Sequence, residues 1–386
     1  MNSIPQDATA LSPFPPLQPP RRYLFGPGPS MVDPGVYEAL SKPIVGHLDP
    51  YFIQVMGDNQ QLLKMAYGTQ EGSTLVISGT GSAGMEAAVA NFVEPEAKFA
   101  VFANGYFSDR ITEMANRHSA RVLRFEKPWG ENFSDAEATE YIHREKPKVV
   151  AYVHAETSTG ALQRGQSICA AAHDVGALVI ADCVTSLGGL AIDFDRTGID
   201  VAYSCTQKGL SCPPGLSPMA ISPRAMAWLR ARRTPVRSWY LDLKLIHDYS
   251  TVSHRYHHTA PISMFYALRE ALLVIAREGI EKRWERHRRS HQSFVKGVEA
   301  MGLRMHVPAP HRIPTLNTVV VPPGVDETKV RKRLLDEDGI EISGGFGPLA
   351  GKVFRIGVMG PLATEENVQF FLKKFGKALK AEGLSA

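Results

Sequence analysis

Short apolar runs alternate with helical stretches through the middle of the chain. The apolar runs TLVIS (74–78) and KFAVFA (98–103) are followed by SAGMEAAVANFV and FSDRITEMANRH, two segments with apolar residues at helical spacing. Continuous apolar strands separated by helices are typical of a largely parallel sheet covered on both faces, so the pattern predicts an α/β fold. Ligands of such sheets bind at the carboxyl ends of the strands. The predicted strands are TLVIS (74–78), KFAVFA (98–103), KVVAYVH (148–154), ALVIAD (177–182), DVAYSC (200–205) and a further candidate, PMAIS (218–222).

The pattern changes after about residue 262. A long helical stretch, residues 263–302, is followed by a strand near TVVVPP, a helix near ETKVRKRLLDED, a strand near KVFRIGV and a last helix from Thr364. These elements predict a small C-terminal α+β unit. We place the domains at residues 23–278 and 279–386, preceded by a proline-rich segment at residues 1–22. That segment is extended, either as a tail or as an arm on another surface.

The composition of the 386-residue chain is that of an ordinary globular protein. A net charge of +4, from 43 basic and 39 acidic residues, is too small to indicate nucleic-acid binding. The 4 cysteines show no metal-ligand spacing, which predicts free buried thiols and no metal site. The sequence shows no apolar run long enough to cross a membrane and no signal pattern, so we expect a cytoplasmic protein without membrane contact.

The stretch GTGSAG, from Gly79 to Gly84, matches the glycine pattern of dinucleotide sites and lies between a strand and a helix. A nicotinamide enzyme is therefore one alternative. The acidic residue expected roughly 20 positions later is missing, because the next strand ends in FANG. The narrower prediction is an anion site at Thr80, Gly81 and Ser82, formed by free N–H groups at the helix start. A plain capped helix remains the other interpretation.

Asp182 ends one predicted strand, and Lys208 follows the next strand 26 residues later. In a parallel sheet both lie on the carboxyl edge, beside the anion site. A lysine, a carboxylate and a phosphate cradle together are what pyridoxal 5′-phosphate (PLP) requires. Phe107, after the strand KFAVFA, is a candidate to cover the ring. Taken singly, Asp182 is equally typical of a turn or helix cap, and Phe107 is more typical of a core residue.

The order of short motifs along the chain is more specific than any of them alone. From about Tyr23 to near the C-terminus the chain resembles the class V aminotransferases of fold type I, nearest to alanine–glyoxylate and serine–pyruvate aminotransferases. This resemblance implies a mostly parallel seven-stranded sheet between helices and a small C-terminal α+β domain. The motifs are GPGPS (26–30), GHLDP (46–50), SGTGS (78–82), ANG (103–105), ETSTG (156–160), DCVTSLGG (182–189), QKGLSCPPG (207–215), YHHT (256–259) and GKVFRIG (351–357).

The resemblance assigns roles to residues of this chain. It implies that Lys208 forms the Schiff base with PLP, that Asp182 pairs with the pyridine nitrogen and that Arg355 binds the substrate carboxylate, with Gly46 near the entrance. Without it, Arg355 is typical of a surface residue. The other implied cofactor contacts are Thr80, Gly81, Ser82 and Gln207 at the phosphate, Thr157 at the ring hydroxyl, Phe107 and Val184 on the two ring faces, and Tyr256 and Thr259, which would reach the same phosphate from a second subunit.

The implied partners are small amino acid and 2-oxo acid substrates and a second copy of the chain. The implied reaction moves an amino group from alanine or serine to a 2-oxo acid, with glyoxylate as the first candidate. The homodimer would share its active sites, and residues 1–22 would lie on the partner subunit. Animal members carry Trp at Phe107 and His at Ser82, which leaves PLP binding intact and substrate preference open.

Three alternatives stay open from the sequence. A related class V enzyme could use another donor, such as ureidoglycine or a kynurenine-type amino acid. A cysteine desulfurase is less consistent, because no cysteine follows Cys212 to act as the nucleophile of the C-terminal half. From a different class, a nicotinamide dehydrogenase would use GTGSAG.

Overall fold

The computed structural model describes residues 15–384. In this range the strands are β1 (Tyr23–Leu24), β2 (Ser73–Ser78), β3 (Lys98–Ala103), β4 (Arg121–Glu126), β5 (Val149–Val153), β6 (Ala155–Glu156), β7 (Ala161–Leu162), β8 (Leu178–Asp182), β9 (Val201–Tyr203), β10 (Leu216–Ile221), β11 (Leu316–Val320), β12 (Ile340–Glu341), β13 (Ser343–Gly344) and β14 (Val353–Gly357). The helices are α1 (Pro34–Leu40), α2 (Pro50–Tyr67), α3 (Gly81–Phe92), α4 (Tyr106–Arg117), α5 (Asp135–Glu145), α6 (Gln166–Asp174), α7 (Phe194–Thr197), α8 (Pro223–Ala231), α9 (Leu243–His247), α10 (Ile262–Glu278), α11 (Ile280–Ala300), α12 (Glu327–Asp338) and α13 (Glu365–Ala381).

A seven-stranded sheet forms the centre of the large domain, in the order β2-β10-β9-β8-β5-β3-β4. The strands β9, β8, β5, β3 and β4 pair in parallel, whereas β10 runs antiparallel to both β9 and β2. Six strands therefore point the same way, and their carboxyl ends lie along one edge. The predicted α/β fold with a mostly parallel sheet is confirmed, and the candidate strand PMAIS is the single reversed strand of this sheet.

The edge strand β4 is the member of this sheet that the apolar pattern did not identify. Its sequence, RVLRFE, alternates between exposed and partly buried positions instead of forming a continuous apolar run. Since an edge strand has a neighbour on one side and faces solvent along the other, it lacks the burial on both faces that marks a central parallel strand.

Successive residues of the central strands enter two separate cores. Phe99 and Val101 of β3 pack with helices α3, α4 and α8 on one face. Ala100 and Phe102 pack with α2, α5 and α10 on the other. Because both faces of the sheet are covered, the strands are rigid, and the loops at their carboxyl ends are held in fixed positions.

The C-terminal unit has its own core beneath a three-stranded sheet ordered β11-β14-β13. Phe294, Phe354 and Phe371 lie in that core. The long helical stretch is in fact two helices, because Gly279 interrupts it with a left-handed φ of 86°. The predicted domain boundary falls beside this break, and the domain limits themselves stay a prediction.

The N-terminal segment reaches the C-terminal unit. β1 pairs in parallel with β12, and Phe25 lies in the C-terminal core. Residues 15–20 before it are exposed and carry neither helix nor strand, while residues 1–14 of the predicted arm lie outside the described residues. None of the helices in residues 15–384 combines the length and apolar character needed to cross a membrane.

Candidate active site

A cavity of about 290 Å³ opens at the carboxyl edge of the sheet. Loops after β2, β3, β5, β8 and β9 form its floor, and β14 of the C-terminal unit closes one side. Ten of the residues singled out from the sequence line this cavity: Thr80, Gly81, Ser82, Phe107, Thr157, Asp182, Val184, Gln207, Lys208 and Arg355. Their convergence follows from the common direction of the strands that carry them.

Lys208 is only 6% exposed, and its amine projects into the cavity. Its Nζ donates to the hydroxyl oxygens of Thr157 at 2.9 Å and Thr185 at 3.1 Å. These two hydroxyl groups also hydrogen-bond to each other. Burial lowers the pKa of Lys208 to about 8, because the charged amine loses hydration that two neutral hydroxyls do not fully replace. At neutral pH a fraction of the amine is therefore uncharged and nucleophilic.

The backbone around Lys208 is fixed on both sides. Ser30 donates from its hydroxyl to the carbonyl of Lys208 at 2.8 Å and from its N–H to the carbonyl of Gln207 at 2.8 Å. The buried guanidinium of Arg283 donates to the carbonyl of Gly209 at 2.8 Å. At Gly209 a Cβ would lie 2.4 Å from the carbonyl oxygen of Leu187, so only glycine fits there. The side-chain amine thus extends from an immobile base.

Asp182 is the last residue of β8 and is 1% exposed. One carboxylate oxygen accepts from the N–H of Val184 at 2.9 Å, and the other accepts from the hydroxyl of Tyr203 at 2.9 Å. Burial raises the pKa of Asp182 to about 6, an increase that these hydrogen bonds and the charge of Lys208 oppose. At neutral pH the group is mainly ionised, and it suits pairing with a cationic ring nitrogen.

The start of α3 provides the anion site predicted at GTGSAG. Thr80 is its N-cap residue and makes no side-chain capping hydrogen bond. A Cβ on Gly81 would lie 3.0 Å from Cβ of Cys205, so this turn has little room for a larger residue. Arg110 donates to the hydroxyl of Ser82 at 3.1 Å and adds a positive charge. Free N–H groups, a helix dipole and a guanidinium together favour a phosphate.

Gln207 also lines this cavity, and its buried Oε1 has no hydrogen-bond partner among the described residues. A buried polar group is rarely left without a partner. An amide at this position is suited to a polar ligand such as a phosphate.

Phe107 and Val184 provide apolar contacts for a planar ring. Phe107 is the second residue of α4, and its N–H donates to the carboxylate of Glu156 at 3.2 Å. Glu156 is fully buried and also accepts from the N–H and hydroxyl of Ser158, at 3.0 and 2.6 Å. Glu156 therefore fixes the start of α4, and with it the phenyl ring, whose centroid is 5.8 Å from Nζ of Lys208.

Arg355 lies on β14 and is 2% exposed. Its guanidinium donates to the carbonyl of Gly344 at 2.7 Å and of Thr157 at 3.4 Å, and it stacks 3.9 Å from the ring centroid of Phe346. Burial lowers the pKa of Arg355 to about 10, so the group stays positively charged at neutral pH. A buried cation with its fork facing the cavity matches a carboxylate.

Three of the predicted site residues are not among those that line the cavity: Gly46, Tyr256 and Thr259. All three are exposed. The ring of Tyr256 lies 5.0 Å from that of His47, which joins the segment around residue 256 to the segment around residue 46. A single copy of the described chain therefore does not bring Tyr256 or Thr259 to the predicted phosphate position.

The structure adds polar residues that sequence reasoning missed. Arg110 lies one helical turn after Phe107, and Thr185 follows Asp182 by three positions, so spacing from known site residues could have indicated both. Tyr203 is hidden in an apolar strand. Only its register, directly opposite Asp182 in the β8–β9 pair, places its hydroxyl at the carboxylate.

The chain is similar to known proteins along most of its length. The family model described as Aminotransferase class-V matches residues 22–371. The chain belongs to the class V aminotransferases. It is 38% identical to the (S)-ureidoglycine–glyoxylate transaminase of Bacillus subtilis, over 92% of this chain and 89% of that protein. It is 37% identical to the alanine–glyoxylate aminotransferase of Oryctolagus cuniculus, over 95% and 94%.

A solved structure agrees with these relatives. The crystal structure of an alanine–glyoxylate aminotransferase from Nostoc sp. superposes with a TM-score of 0.95 and 44% identity, covering 98% of this chain and 100% of that one. The predicted family, fold type and enzyme class are confirmed. The match to aminotransferases removes the nicotinamide dehydrogenase alternative and disfavours the desulfurase.

Class V aminotransferases are PLP-dependent, so the chain is a PLP-dependent aminotransferase. The cavity fits this cofactor on its own geometry. It offers a buried lysine of lowered pKa, an ionised carboxylate, an uncapped helix start with an unpartnered glutamine beside it, and an apolar ring contact.

The lowered pKa of Lys208 has a measurable effect on the stability of the PLP-free protein. The unfolded chain carries a lysine with an ordinary pKa of 10.5, whereas the folded pKa is about 8. Below pH 8 both states are protonated, and the folded state bears the full cost of a buried cation. Between pH 8 and 10.5 the folded state has released its proton, so its stability rises with pH.

We therefore expect the free energy of unfolding of PLP-free wild type to rise with pH above 8 relative to Lys208→Met, which lacks the amine. Denaturant titrations at several pH values measure this difference. A difference that stays constant from pH 7 to 10 would contradict the lowered pKa.

Proposed function

We propose that the enzyme transfers an amino group from a small L-amino acid, alanine or serine, to glyoxylate, giving pyruvate or hydroxypyruvate and glycine. One observation carries this proposal. Thr157 contacts the Lys208 amine through its hydroxyl at 2.9 Å and the Arg355 guanidinium through its carbonyl at 3.4 Å. A carboxylate held by Arg355 would place the adjacent Cα near the amine. The cavity of about 290 Å³ leaves little space beside a cofactor, which favours short side chains.

Each residue has a defined part in this proposal. Lys208 would hold PLP covalently and, once released, act as the base that takes a proton from the substrate Cα and returns it. Asp182 would pair with the pyridine nitrogen, Thr157 with the ring hydroxyl, and Phe107 and Val184 with the ring faces. Thr80, Gly81, Ser82 and Gln207 would hold the phosphate. The bound cofactor supplies an electron sink for the carbanion at Cα.

Half-reactions with the purified holoenzyme test the donor. L-Alanine or L-serine should change the visible absorption of the bound cofactor and release one equivalent of pyruvate or hydroxypyruvate, and glyoxylate should then restore the spectrum and yield glycine. Enzyme that responds to neither amino acid would overturn the proposal.

A second donor has specific support. The relative from Bacillus subtilis is a (S)-ureidoglycine–glyoxylate transaminase, and its identity of 38% is as high as the 37% of the alanine–glyoxylate enzymes. Ureidoglycine shares the carboxylate and amine that Arg355 and the cofactor would recognise. Comparison of kcat/KM for ureidoglycine, alanine and serine with the same glyoxylate acceptor decides between the donors.

Replacement of Arg355 by alanine is expected to raise KM for both the amino acid and the 2-oxo acid, because both substrates carry the carboxylate. The loss of a buried charge-assisted contact costs about 2–5 kcal/mol, or roughly 30-fold to several thousand-fold in kcat/KM. Steady-state kinetics with PLP-saturated enzyme measure this change, and the cofactor absorption should remain as in wild type. Arg355→Lys serves as the matched control and should recover part of the affinity, since it keeps the charge without the fork. Unchanged kinetics in Arg355→Ala would place the carboxylate site elsewhere.

We also propose that the enzyme works as a homodimer whose active sites include Tyr256 and Thr259 of the partner subunit. Large apolar and aromatic side chains are exposed in two segments that meet at His47 and Tyr256. An apolar surface of this kind is typical of an interface. The exposed residues are Tyr37, Ile44, Leu48, Tyr51, Trp239, Tyr240 and Tyr256. Gly46 would lie at the entrance beside this surface, and residues 1–22 would extend over the partner. The cytoplasmic location stays a prediction.

Subunit mixing tests the shared site. Lys208→Ala and Tyr256→Ala homodimers are each expected to be impaired, the first in turnover and the second in PLP affinity. When the two are unfolded together and refolded, a mixed dimer contains one site with native Lys208 and native Tyr256. We expect activity at limiting PLP to exceed that of either variant alone. Activity equal to the mean of the separately refolded variants would contradict a shared site.

A further inference from the structure

A second, larger cavity lies outside the catalytic pocket. Its volume is about 940 Å³, and none of its lining residues belongs to the PLP cavity. One wall is formed by the start of α6 and residues 190–197 of the large domain. The other is formed by α11 and residues 309–314. The proposed transamination uses no part of this cavity.

The floor of this cavity contains buried polar atoms without partners. Tyr152 is 1% exposed and His154 is 8% exposed, and both line the cavity. The hydroxyl of Tyr152 and Nδ1 of His154 have no hydrogen-bond partner among the described residues. Buried polar groups are nearly always hydrogen-bonded to protein, water or ligand, so two exceptions on residues that line the same cavity point to a polar occupant.

The start of α6 faces the same space. Gly165 is its N-cap residue and has no side chain to cap the first N–H groups. A Cβ at Gly165 would lie 2.0 Å from the hydroxyl of Tyr152, so glycine is required to let that hydroxyl approach the helix start. The helix dipole therefore adds to the preference for negative charge at the position that Tyr152 faces.

The walls are cationic. Five arginine or lysine side chains line the cavity against two carboxylates, Asp193 and Glu299. Each carboxylate is already paired within the cavity, Asp193 with Arg196 and Glu299 with Arg312. The remaining basic side chains are Arg164, Arg288 and Lys296, of which Arg288 pairs with Glu285.

Arg164 and Lys296 are absent from the ion pairs formed within residues 15–384. Both are exposed side chains that line opposite walls of the cavity, Arg164 directly before α6 and Lys296 on α11. Two cations on facing walls of a cleft are suited to a ligand that carries a negative group at each end. A cavity of about 940 Å³ is much larger than one inorganic ion, since a water molecule occupies about 30 Å³.

We propose that this cavity is a binding site for a small organic polyanion, whose carboxylate or phosphate groups bridge Arg164 and Lys296 and whose polar atoms meet Tyr152 and His154. The apolar side chains of Leu162, Ile192 and Val295 would contact the body of the ligand. The occupant is a small molecule rather than a macromolecule, because the lining residues enclose a cavity of about 940 Å³ between two walls.

Calorimetric titration of the PLP-loaded enzyme tests this site with citrate as the carboxylate probe and ATP as the phosphate probe. We expect one equivalent of at least one probe to bind per chain, and the probe that binds identifies the anionic group. Acetate, a monoanion without a second charge, should bind much more weakly. The visible absorption of the cofactor should not change, which separates this site from the catalytic cavity.

The double variant Arg164→Gln/Lys296→Gln is expected to weaken probe binding by about 100-fold or more, from about tenfold or more per lost charge-assisted contact. Its matched control is Arg233→Gln/Lys282→Gln, which removes the same charge from two exposed residues away from the cavity and should bind as wild type does. Both variants should keep native turnover.

Failure of both probes to bind wild type at millimolar concentration would overturn the proposal. Equal weakening in the two double variants would overturn it as well, since that result would assign the binding to net charge alone. Neither outcome affects the proposed transamination, which is measured separately.

Discussion

Replacement of Lys208 by alanine is expected to lower the rate of transamination by at least about 10³-fold, because the substitution removes both the covalent attachment of PLP and the base that moves the Cα proton. Among the described residues, the groups that hydrogen-bond to the Lys208 amine cannot take its place. The nearest hydroxyls, those of Thr157 and Thr185, are donors or acceptors of ordinary acidity and not bases at neutral pH. Single-turnover kinetics with alanine and with serine measure the loss.

Three further measurements separate a chemical role of Lys208 from a structural one. The variant should fold, since removal of a buried amine of lowered pKa relieves a cost at neutral pH. It should also retain PLP through the phosphate cradle at α3. A small primary amine added to the solution should restore part of the turnover if the missing function is that of a base. Near-native turnover without any added amine would overturn the mechanism.

The parts of the site that the sequence predicted are those set by strand direction. Asp182 and Lys208 follow adjacent parallel strands, so a pattern of apolar runs was enough to place them on one edge. The same argument placed the turn before α3 and the residue Phe107 there. These positions depend on where a strand ends, and the apolar runs of this chain end close to the strands that they predict.

The contacts that the sequence did not predict depend on register and on distant packing. Tyr203 meets Asp182 only because of its exact pairing across β8 and β9. Arg355 comes from a strand of the C-terminal unit, and no local pattern brings that strand to the large domain. Its place was implied by family resemblance alone. Tyr256 and Thr259 belong to the proposed second subunit, which a single chain cannot position.

Replacement of Asp182 by asparagine should separate electrostatics from shape in the same site. Asparagine has nearly the same size, and its amide can still accept from the N–H of Val184, which donates to Asp182 at 2.9 Å. The substitution removes the negative charge that would face the pyridine nitrogen. We expect kcat to fall by about 10²- to 10³-fold with a much smaller change in KM, because a buried opposing charge is lost where charge develops during the reaction.

The contrast with neighbouring variants makes this outcome diagnostic. Arg355→Ala is expected to change KM for both substrates, whereas Asp182→Asn should act on kcat. Tyr203→Phe keeps the carboxylate but removes the hydroxyl that donates to it at 2.9 Å, so the pKa of Asp182 should be higher in this variant than in wild type. Since the carboxylate of that variant protonates at higher pH, the fall of kcat toward acidic pH should begin at a higher pH in Tyr203→Phe than in wild type. Asp182→Asn should show no such acidic limb, because it has no carboxylate to protonate. A native kcat in Asp182→Asn, or an unchanged acidic limb in Tyr203→Phe, would mean that the charge at the end of β8 does not control the reaction.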